Sequence, residues 1–553
     1  MFKFLFKLWL LFIALSVATS LIVPIISALF SSQQFTPDEI EPYVIPVFLS
    51  LLVLTVAMWL RIPIFRVFWM IIGGLLSIIW QILIGLRNIG VPAQRGARWM
   101  NRWERFFLLN RGHQGFLVDG RDNGLRLSEK ASFRSVLALG GMGAGKSSTY
   151  VIPNAFTLNN CSMVFTDTSG ELYAQTSGYL ARKGFEIQVF NLQDLGRSLA
   201  YNPLSSLNSF TDIHKAAQLL VNSSIKDSDG FWNEGAVRII RVIIQCLINR
   251  GDTDFINLHN VKYLLNNFDA HIAPNGRSQF DQFVVESTLN DPSTFHDYKG
   301  FTNGNEKTML SFLSTADTAL AALGNPEIAR LTAQNQFDFS ALKQRKTALY
   351  VIVNQKDMGF YSFLLNLFYT DLFNHLISDL NTSEIPVYLL LDEFGHLTIP
   401  DFEVFATTAR KYKVGFFLFL QSFSQLVSRY GPHNASTILN GLQSEIYLPG
   451  IGLDAAQELQ RKLGKVYSKT NENAHEQARN LMDEADLIRL ESDTALLLHA
   501  NQKPVKLNTR PFFRQRRFAK WSKIHPHNLP HTTTDFPPSV DLSTFRENPS
   551  PPI

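Results

Sequence analysis

Lys146 and Ser147 carry the clearest chemistry in the chain, because Gly140 and Gly145 precede them in the spacing G-x-x-x-x-G-K-[ST]. They lie within Ser135 to Pro153, SVLALGGMGAGKSSTYVIP, where an apolar run, Val136 to Leu139, leads into the glycines and a helix-compatible segment follows. Glycines let the backbone curl so that successive N–H groups point inward at phosphate oxygens, and a helix start adds the positive end of its dipole. Gly140, Gly141, Gly143, Ala144, Gly145, Lys146, Ser147 and Ser148 are therefore expected to cradle a nucleotide. Lys146 would reach the β- and γ-phosphates, and the Ser147 hydroxyl would enter the shell of a magnesium ion. A glycine-rich turn with a chance lysine would need neither the strand before it nor the helix after it. The expected cofactors are ATP and Mg2+.

Val387-Tyr388-Leu389-Leu390-Leu391 is an apolar run that delivers Asp392 and Glu393 at its carboxyl end, where ligands of open α/β sheets collect. Asp392 is expected to hold magnesium through water, and Glu393 to polarise the attacking water. The run Val414 to Leu420 ends at Gln421, a candidate to sense the γ-phosphate, with a polar helix cap as the bland reading. Arg410 and Lys411 lie between these runs. Arg410 is expected near the carboxyl edge of the sheet, poised toward a neighbouring subunit's nucleotide, although a surface arginine is the default reading.

These residues need a scaffold, and beyond Gly112 short β-rich runs alternate with helical stretches, which predicts an α/β domain with a largely parallel sheet. Expected strands are Cys161 to Asp167, Glu186 to Phe190, Thr347 to Val353, Val387 to Asp392, Val414 to Leu420, Glu445 to Leu448 and Ala495 to His499. The fold class is that of a P-loop NTPase, RecA-like, with an inserted all-α subdomain and an amino-terminal transmembrane helical anchor. From Lys146 to Asp392 the chain runs 246 residues (392 − 146), more than a compact core needs, and the stretch 207–302 lacks convincing strands. The predicted layout is an anchor over 1–90, a nucleotide-binding domain in two parts over 91–206 and 303–510, and the all-α insertion over 207–302. The remainder, 511–553, is basic with interleaved aromatics (Arg514, Arg516, Arg517, Lys520, Trp521, Lys523) and then proline-rich, and is expected to be a disordered tail.

Leu8 to Phe30 is an uncharged run of 23 residues, long enough as a helix to span about 34 Å, and so reads as a transmembrane helix rather than a signal peptide. Two further apolar runs, Val44 to Leu60 and Val67 to Leu86, are separated by Arg61 and Arg66. Two true spans are expected, with the third run re-entrant, interfacial or packed, because Lys3 and Lys7 on one flank and Arg87, Arg95, Arg98, Arg102, Arg105 and Arg111 on the other favour the cytoplasm. The arginine-rich stretch with Trp99, Trp103 and Phe106 suits anionic lipid headgroups or, equally, a solvated helix with aromatic anchors into the body. Net charge is +4, too mild to argue from, and 2 cysteines, Cys161 and Cys246, lie far apart without metal-ligand neighbours. A disulfide framework and a zinc site are thereby excluded, and buried thiols in a reducing compartment are expected.

Together these residues resemble the type IV secretion coupling proteins, the TraG/TraD-like membrane ATPases of conjugation. The resemblance covers most of residues 1 to 510 and rests on GGMGAGKSS followed by TYVIPN, on FTDTSGELYAQTSGYLARKG leading to YNPL, and on FWNEGAV, LLLDEFGHL, QSFSQLVSRYG and LMDEADLIRLESDTALLLHANQKPV. It implies Asp392 and Glu393 as the Walker B pair, Gln421 as sensor, and Arg410 as an arginine acting in trans, with Lys411 as its rival. Where such proteins often carry Pro-Lys after the strand-end aspartate, Asp167 is followed here by Thr168 and Ser169, so no role for that lysine carries over. The resemblance further implies a homohexamer at the bacterial inner membrane, multi-pass, with the ATPase body in the cytoplasm. Its partners would be a relaxosome or relaxase with single- or double-stranded DNA, effector proteins and type IV secretion channel subunits, with substrate fed to the channel by ATP hydrolysis. The rival reading is a nucleotide-dependent membrane scaffold without translocation. A membrane-anchored AAA protease is excluded because the nearest string to its H-E-x-x-H, His475-Glu476-Gln477-Ala478-Arg479, lacks the second histidine.

Overall fold

The computed structural model describes residues 95–545 apart from 113, 226–229, 269–277, 379–383, 469–476 and 529–534. The expected anchor over 1–90 lies outside the described residues. Among those described, no helix is long and apolar enough to cross a membrane.

The apolar runs form one nine-stranded sheet. In chain order its strands are β1 Val136–Leu139, β2 Ser162–Asp167, β3 Glu186–Asn191, β4 Thr347–Ile352, β5 Val387–Leu391, β6 Val414–Leu420, β7 Ser444–Tyr447, β8 Thr494–His499 and β9 Val505–Asn508. Across the sheet the order is β9-β8-β7-β1-β6-β5-β2-β4-β3. From β7 to β3 every pair is parallel. Only the pairs β7–β8 and β8–β9 are antiparallel. Strands β1, β2, β4, β5 and β6 are buried along their whole length. That is why they read as unbroken apolar runs: both faces of a parallel sheet are covered. β9 alternates buried and exposed residues, as a half-covered edge strand does, and its four residues escaped the sequence reading.

The period-two alternation sends neighbouring side chains to different layers. Leu137, Leu139, Leu389, Leu391, Leu418 and Leu420 join one core with a helical region. Val136, Ala138, Tyr388, Leu390, Phe417 and Phe419 join the other with helices α1 Ile152–Thr157 and α2 Glu171–Arg182. The helical region follows β3 and comprises α3 Phe210–Ser224, α4 Gly230–Arg250, α5 Leu258–Asn266, α6 Gln279–Ser287, α7 Pro292–Thr302 and α8 Glu306–Ala319, with short helices continuing to Gln344. α4 is buried over most of its circumference and acts as the hub of the region. The insertion therefore reaches beyond the expected boundary at 302, up to the start of β4. α8 escaped notice because its buried positions are Met309, Ala316 and Ala319, small or slender residues that leave a faint apolar stripe. Two more helical segments connect strands, α9 Ser362–Leu376 between β4 and β5 and α10 Phe423–Gly441 between β6 and β7, the second broken at Gly431, whose φ of +75° and ψ of +162° are not helical, just before Pro432.

The segment after Arg510 corrects the expected disordered tail over much of its length. Helix α11 Arg516–Trp521 lies against α1 and α2, with Phe518 fully buried and the Trp521 ring stacked on Tyr179 at 4.3 Å. The Gln515 amide nitrogen donates to Gly120 O at 2.8 Å, and its oxygen accepts from Asp122 N at 2.7 Å. A Cβ on Gly178 would fall 2.0 Å from His525 O, so α2 keeps a glycine where this segment crosses it. Farther on, the Asn260 amide of α5 donates to Pro538 O and accepts from Val540 N, both at 2.9 Å, and Phe545 packs edge-on against Phe283 of α6. One stretch of chain thus touches both layers of helices, and its basic residues are the solvated side of a packed segment.

Candidate nucleotide site

The glycine-rich loop leaves β1 at its carboxyl end. Gly143 and Gly145 have φ of +74° and +76°, left-handed values that only glycine adopts freely, so the loop can wrap inward. Its base is pinned by Gly140 N to Leu420 O at 3.2 Å and Gly141 N to Pro449 O at 3.3 Å. The expected helix opens as a wide turn, Ser147–Val151, before α1. Pro153 sits in that passage and has no N–H to return to the carbonyl four residues back.

Lys146 Nζ donates to Gly140 O at 2.9 Å and Gly141 O at 3.1 Å, which holds the ammonium inside the loop. Burial pulls its pKa down, while the charges of Asp392 and Glu393 oppose that shift. The Ser147 hydroxyl donates to Asp392 Oδ2, so residues 245 apart in sequence meet at one point. Asp392 is buried at the end of β5, and burial pushes its carboxyl up to about 6 against the opposing hydrogen bond from Ser147. Thr166 Oγ1 fixes the Asp392 backbone by donating to its carbonyl at 2.8 Å. Glu393 has φ +53° and ψ +37°, a left-handed conformation that costs a non-glycine residue roughly 1 kcal/mol or more. Its Oε2 is buried with no hydrogen-bond partner among the described residues. Asp392 is thus held by the Ser147 hydroxyl and, at 3.2 Å, by the Glu393 N–H, while Glu393 keeps a buried oxygen without a partner among the described residues, close to the Lys146 ammonium. Oxygen donors of this kind suit a hard divalent cation such as magnesium, which Ser147 and Asp392 would hold.

Strand β6 lies between β1 and β5, so Gln421 emerges between the loop and the Asp392–Glu393 pair. The Gln421 side chain does not cap the helix that follows, whose N-cap Ser422 has no side-chain cap bond; the Gln421 backbone N–H instead donates to Gln425 Oε1 at 3.0 Å. The sequence reading missed Thr166 and Gln425. Gln425 was accessible through its i+4 spacing from Gln421, whereas Thr166 depends on β2 pairing with β5 and left no local signal. Asp167 at the end of β2 accepts from Gly170 N and Tyr173 N, both at 2.8 Å, and serves to start α2.

Arg410 sits elsewhere than expected. The helix Phe402–Thr408 carries the chain back across the sheet, and Arg410 lies exposed on the turn that enters β6, at the amino edge. There Lys413 O accepts from Val387 N, the first residue of β5, at 3.1 Å. The seven residues of β6 put about 20 Å between that turn and the nucleotide edge of the same subunit. Lys411 shares the turn and is exposed as well. Cys161 and Cys246 are buried free thiols, as expected, and burial pushes Cys161 up to about 12.

Comparison with known proteins agrees with this geometry. The solved bacterial conjugative coupling protein TrwBdeltaN70, in a trigonal form in complex with sulphate, superposes with a TM-score of 0.58 at 17% identity, covering 75% of this chain and 94% of that one. The plasmid coupling protein TrwB in complex with ADP and Mg2+ gives 0.58 at 16% identity, covering 76% and 95%. At this identity the likeness carries the fold, a mixed and mostly parallel α/β sheet. Protein VirD4 of Rhizobium radiobacter is 24% identical over 418 residues, covering 70% of this chain and 58% of its own length. The protein of the same name from Agrobacterium fabrum is 24% identical over 424 residues, with 70% and 60% covered. The chain thus spans less than two thirds of the length of the curated relatives it matches. The family model for type IV secretory system conjugative DNA transfer matches residues 110–534, from before the glycine-rich loop to beyond α11, and the chain belongs to that family.

Proposed function

We propose that this protein is an inner-membrane ATPase that brings a relaxase–DNA complex, an effector protein or both to a type IV secretion channel and drives transfer by ATP hydrolysis as a homohexamer. The observation that carries the reading is the meeting of the Ser147 hydroxyl with the buried Asp392 carboxylate, beside the unpartnered Glu393 Oε2. A scaffold that bound nucleotide only to assemble would have no use for a second, strained carboxylate next to the first.

In this mechanism Lys146 exchanges the carbonyls of Gly140 and Gly141 for phosphate oxygens, and the loop N–H groups orient the phosphate chain. Ser147 and Asp392, which now bond to each other, would hold the cation. Magnesium, when bound, neutralises phosphate charge as it builds toward the transition state. Glu393 orients the attacking water, with its backbone conformation setting the direction of the carboxylate. Gln421, reached from the neighbouring strand, reports the γ-phosphate to β6 and α10. Arg410 of one subunit is proposed to approach the nucleotide of the next, since it stands far from that of its own.

ATP turnover of the membrane-extracted protein, with and without single-stranded DNA, tests the reading. Hydrolysis that DNA stimulates is expected, whereas nucleotide binding without turnover would favour the scaffold. Co-purification from membranes would identify the relaxase, effector or channel subunit that accompanies it.

A further inference from the structure

The helix Arg102–Leu108, RWERFFL, carries an apolar stripe on the wrong side for a globular protein. Trp103, Phe106 and Phe107 follow the i, i+3, i+4 spacing that puts side chains on one helical face, the face that ordinarily turns to a core. Here none of the helix's residues is buried, and these three are 51%, 73% and 83% exposed. The helix is nonetheless well made. Asn101 and Glu104 form a reciprocal cap, and Arg98 grips Glu104 through two hydrogen bonds of 2.5 and 2.7 Å. That grip holds the Glu104 carboxyl well below its usual range, near 2, and neutralises the one acidic residue of the helix. Among the described residues, Arg102 and Arg105 have no ion-pair partner.

A rigid helix that displays three aromatic rings and two arginines needs an occupant for that face. The sequence supplies it, because the apolar run Val67 to Leu86 ends 16 residues before Arg102, and Arg87, Arg95 and Arg98 lie between. Trp and aromatic side chains concentrate at membrane–water interfaces, and arginines near an anionic leaflet each raise partition about fivefold. We infer that this helix lies in the headgroup layer of an anionic bilayer, with Trp103, Phe106 and Phe107 toward the acyl chains and Arg102 and Arg105 on lipid phosphates. The inference rests on reading the apolar runs of residues 8–86 as a membrane anchor. A second copy of the chain would cover the rings but would not call for arginines around them.

The full-length protein allows a direct test, because Cys161 and Cys246 are buried and leave an introduced thiol as the reactive one. Phe107→Cys, labelled with an environment-sensitive fluorophore, is reconstituted into phosphatidylcholine vesicles with and without phosphatidylglycerol. Leu289→Cys, at a residue 74% exposed in the helical region, serves as the control. The expected result is short-wavelength emission from position 107, quenched by brominated lipid and shielded from iodide, with water-like emission from position 289. Arg102→Gln with Arg105→Gln should weaken the shielding in the phosphatidylglycerol vesicles only. Water-like, iodide-quenched emission from position 107 in vesicles that retain the protein overturns the interfacial helix while leaving the anchor standing. Shielding that ignores brominated lipid overturns it in favour of a protein neighbour. Protein that fails to float with vesicles at all overturns the anchor reading and this inference with it.

Discussion

The two edges of the parallel sheet handle charge in opposite ways. At the amino edge, Lys343 Nζ lies 3.3 Å from Glu384 and donates to Tyr412 O at 2.5 Å, so a mostly buried cation has both an ion partner and a hydrogen-bond acceptor. At the carboxyl edge, Asp392 is raised to about 6 by burial, and Glu393 combines a left-handed backbone with a buried oxygen that has no partner among the described residues. The first arrangement is complete in the folded chain. The second is complete only when something brings positive charge, and that imbalance is what separates a binding edge from a structural one.

Lys146→Ala strikes the unbalanced edge hardest and should abolish ATP turnover, because the phosphate charge loses its counterpart in the loop. Near-normal hydrolysis in that variant would remove the carboxyl edge from the mechanism. Arg410→Ala probes the opposite edge. As a residue acting in trans it should lower turnover about 10³-fold or more while leaving ATP affinity intact. Mixing Arg410→Ala with Lys146→Ala subunits should then restore some hydrolysis, since a mixed interface can join an intact loop to an intact arginine. If mixed rings form and none exceeds the parents, Arg410 belongs with the structural charges of its edge, and Lys411 is the next to test.

Glu393→Gln should slow hydrolysis about 10²-fold, in the range of a lost general base, with nucleotide still bound through Lys146, Ser147 and Asp392. Equal losses in affinity and turnover would make Glu393 a binding residue instead. The raised Asp392 carboxyl gives a pH signature. Its folded value of about 6 lies above the ordinary 3.8, so this group's contribution to stability declines as pH rises between those values, and the cost persists above 6 until a cation offsets it. Mg2+-supported nucleotide binding should accordingly weaken as pH falls through about 6, at most about tenfold per unit. A calorimetric titration of Mg2+-nucleotide from pH 8 to 5.5 would show this, and Asp392→Asn should flatten the profile.

The smallest effect on activity is expected from Phe518→Ala, a residue buried against α1 and α2. It should cost about 3 kcal/mol of stability, seen as a lower unfolding midpoint, with nucleotide affinity unchanged. An unaltered midpoint would mean that residues 511–528 do not pack on α1 and α2 in solution.

Much of the carboxyl edge was legible from the chain itself, because its parts are local. A P-loop needs only strand, glycines and helix in succession, and a central parallel strand announces itself as an unbroken apolar run, as β5 and β6 do. Sequence by itself determined the strands that carry Lys146, Asp392 and Gln421, and it specified that their ends should be polar. Only the tertiary structure decided what pairs with what. Thr166 reaches the Asp392 backbone through strand pairing, and Gln515 finds Gly120 and Asp122 from nearly 400 residues away, contacts for which no window of sequence carries a signal. Composition misread residues 511–528 and 535–545 for the same reason, since basic and aromatic residues look solvated until Tyr179, Phe156 and Asn260 are in place to receive them. Arg410 was misplaced by counting along the chain, when the geometry runs along the strand. In a parallel sheet each strand begins again at the amino edge, so a residue between two carboxyl-edge motifs can lie a full strand length from both.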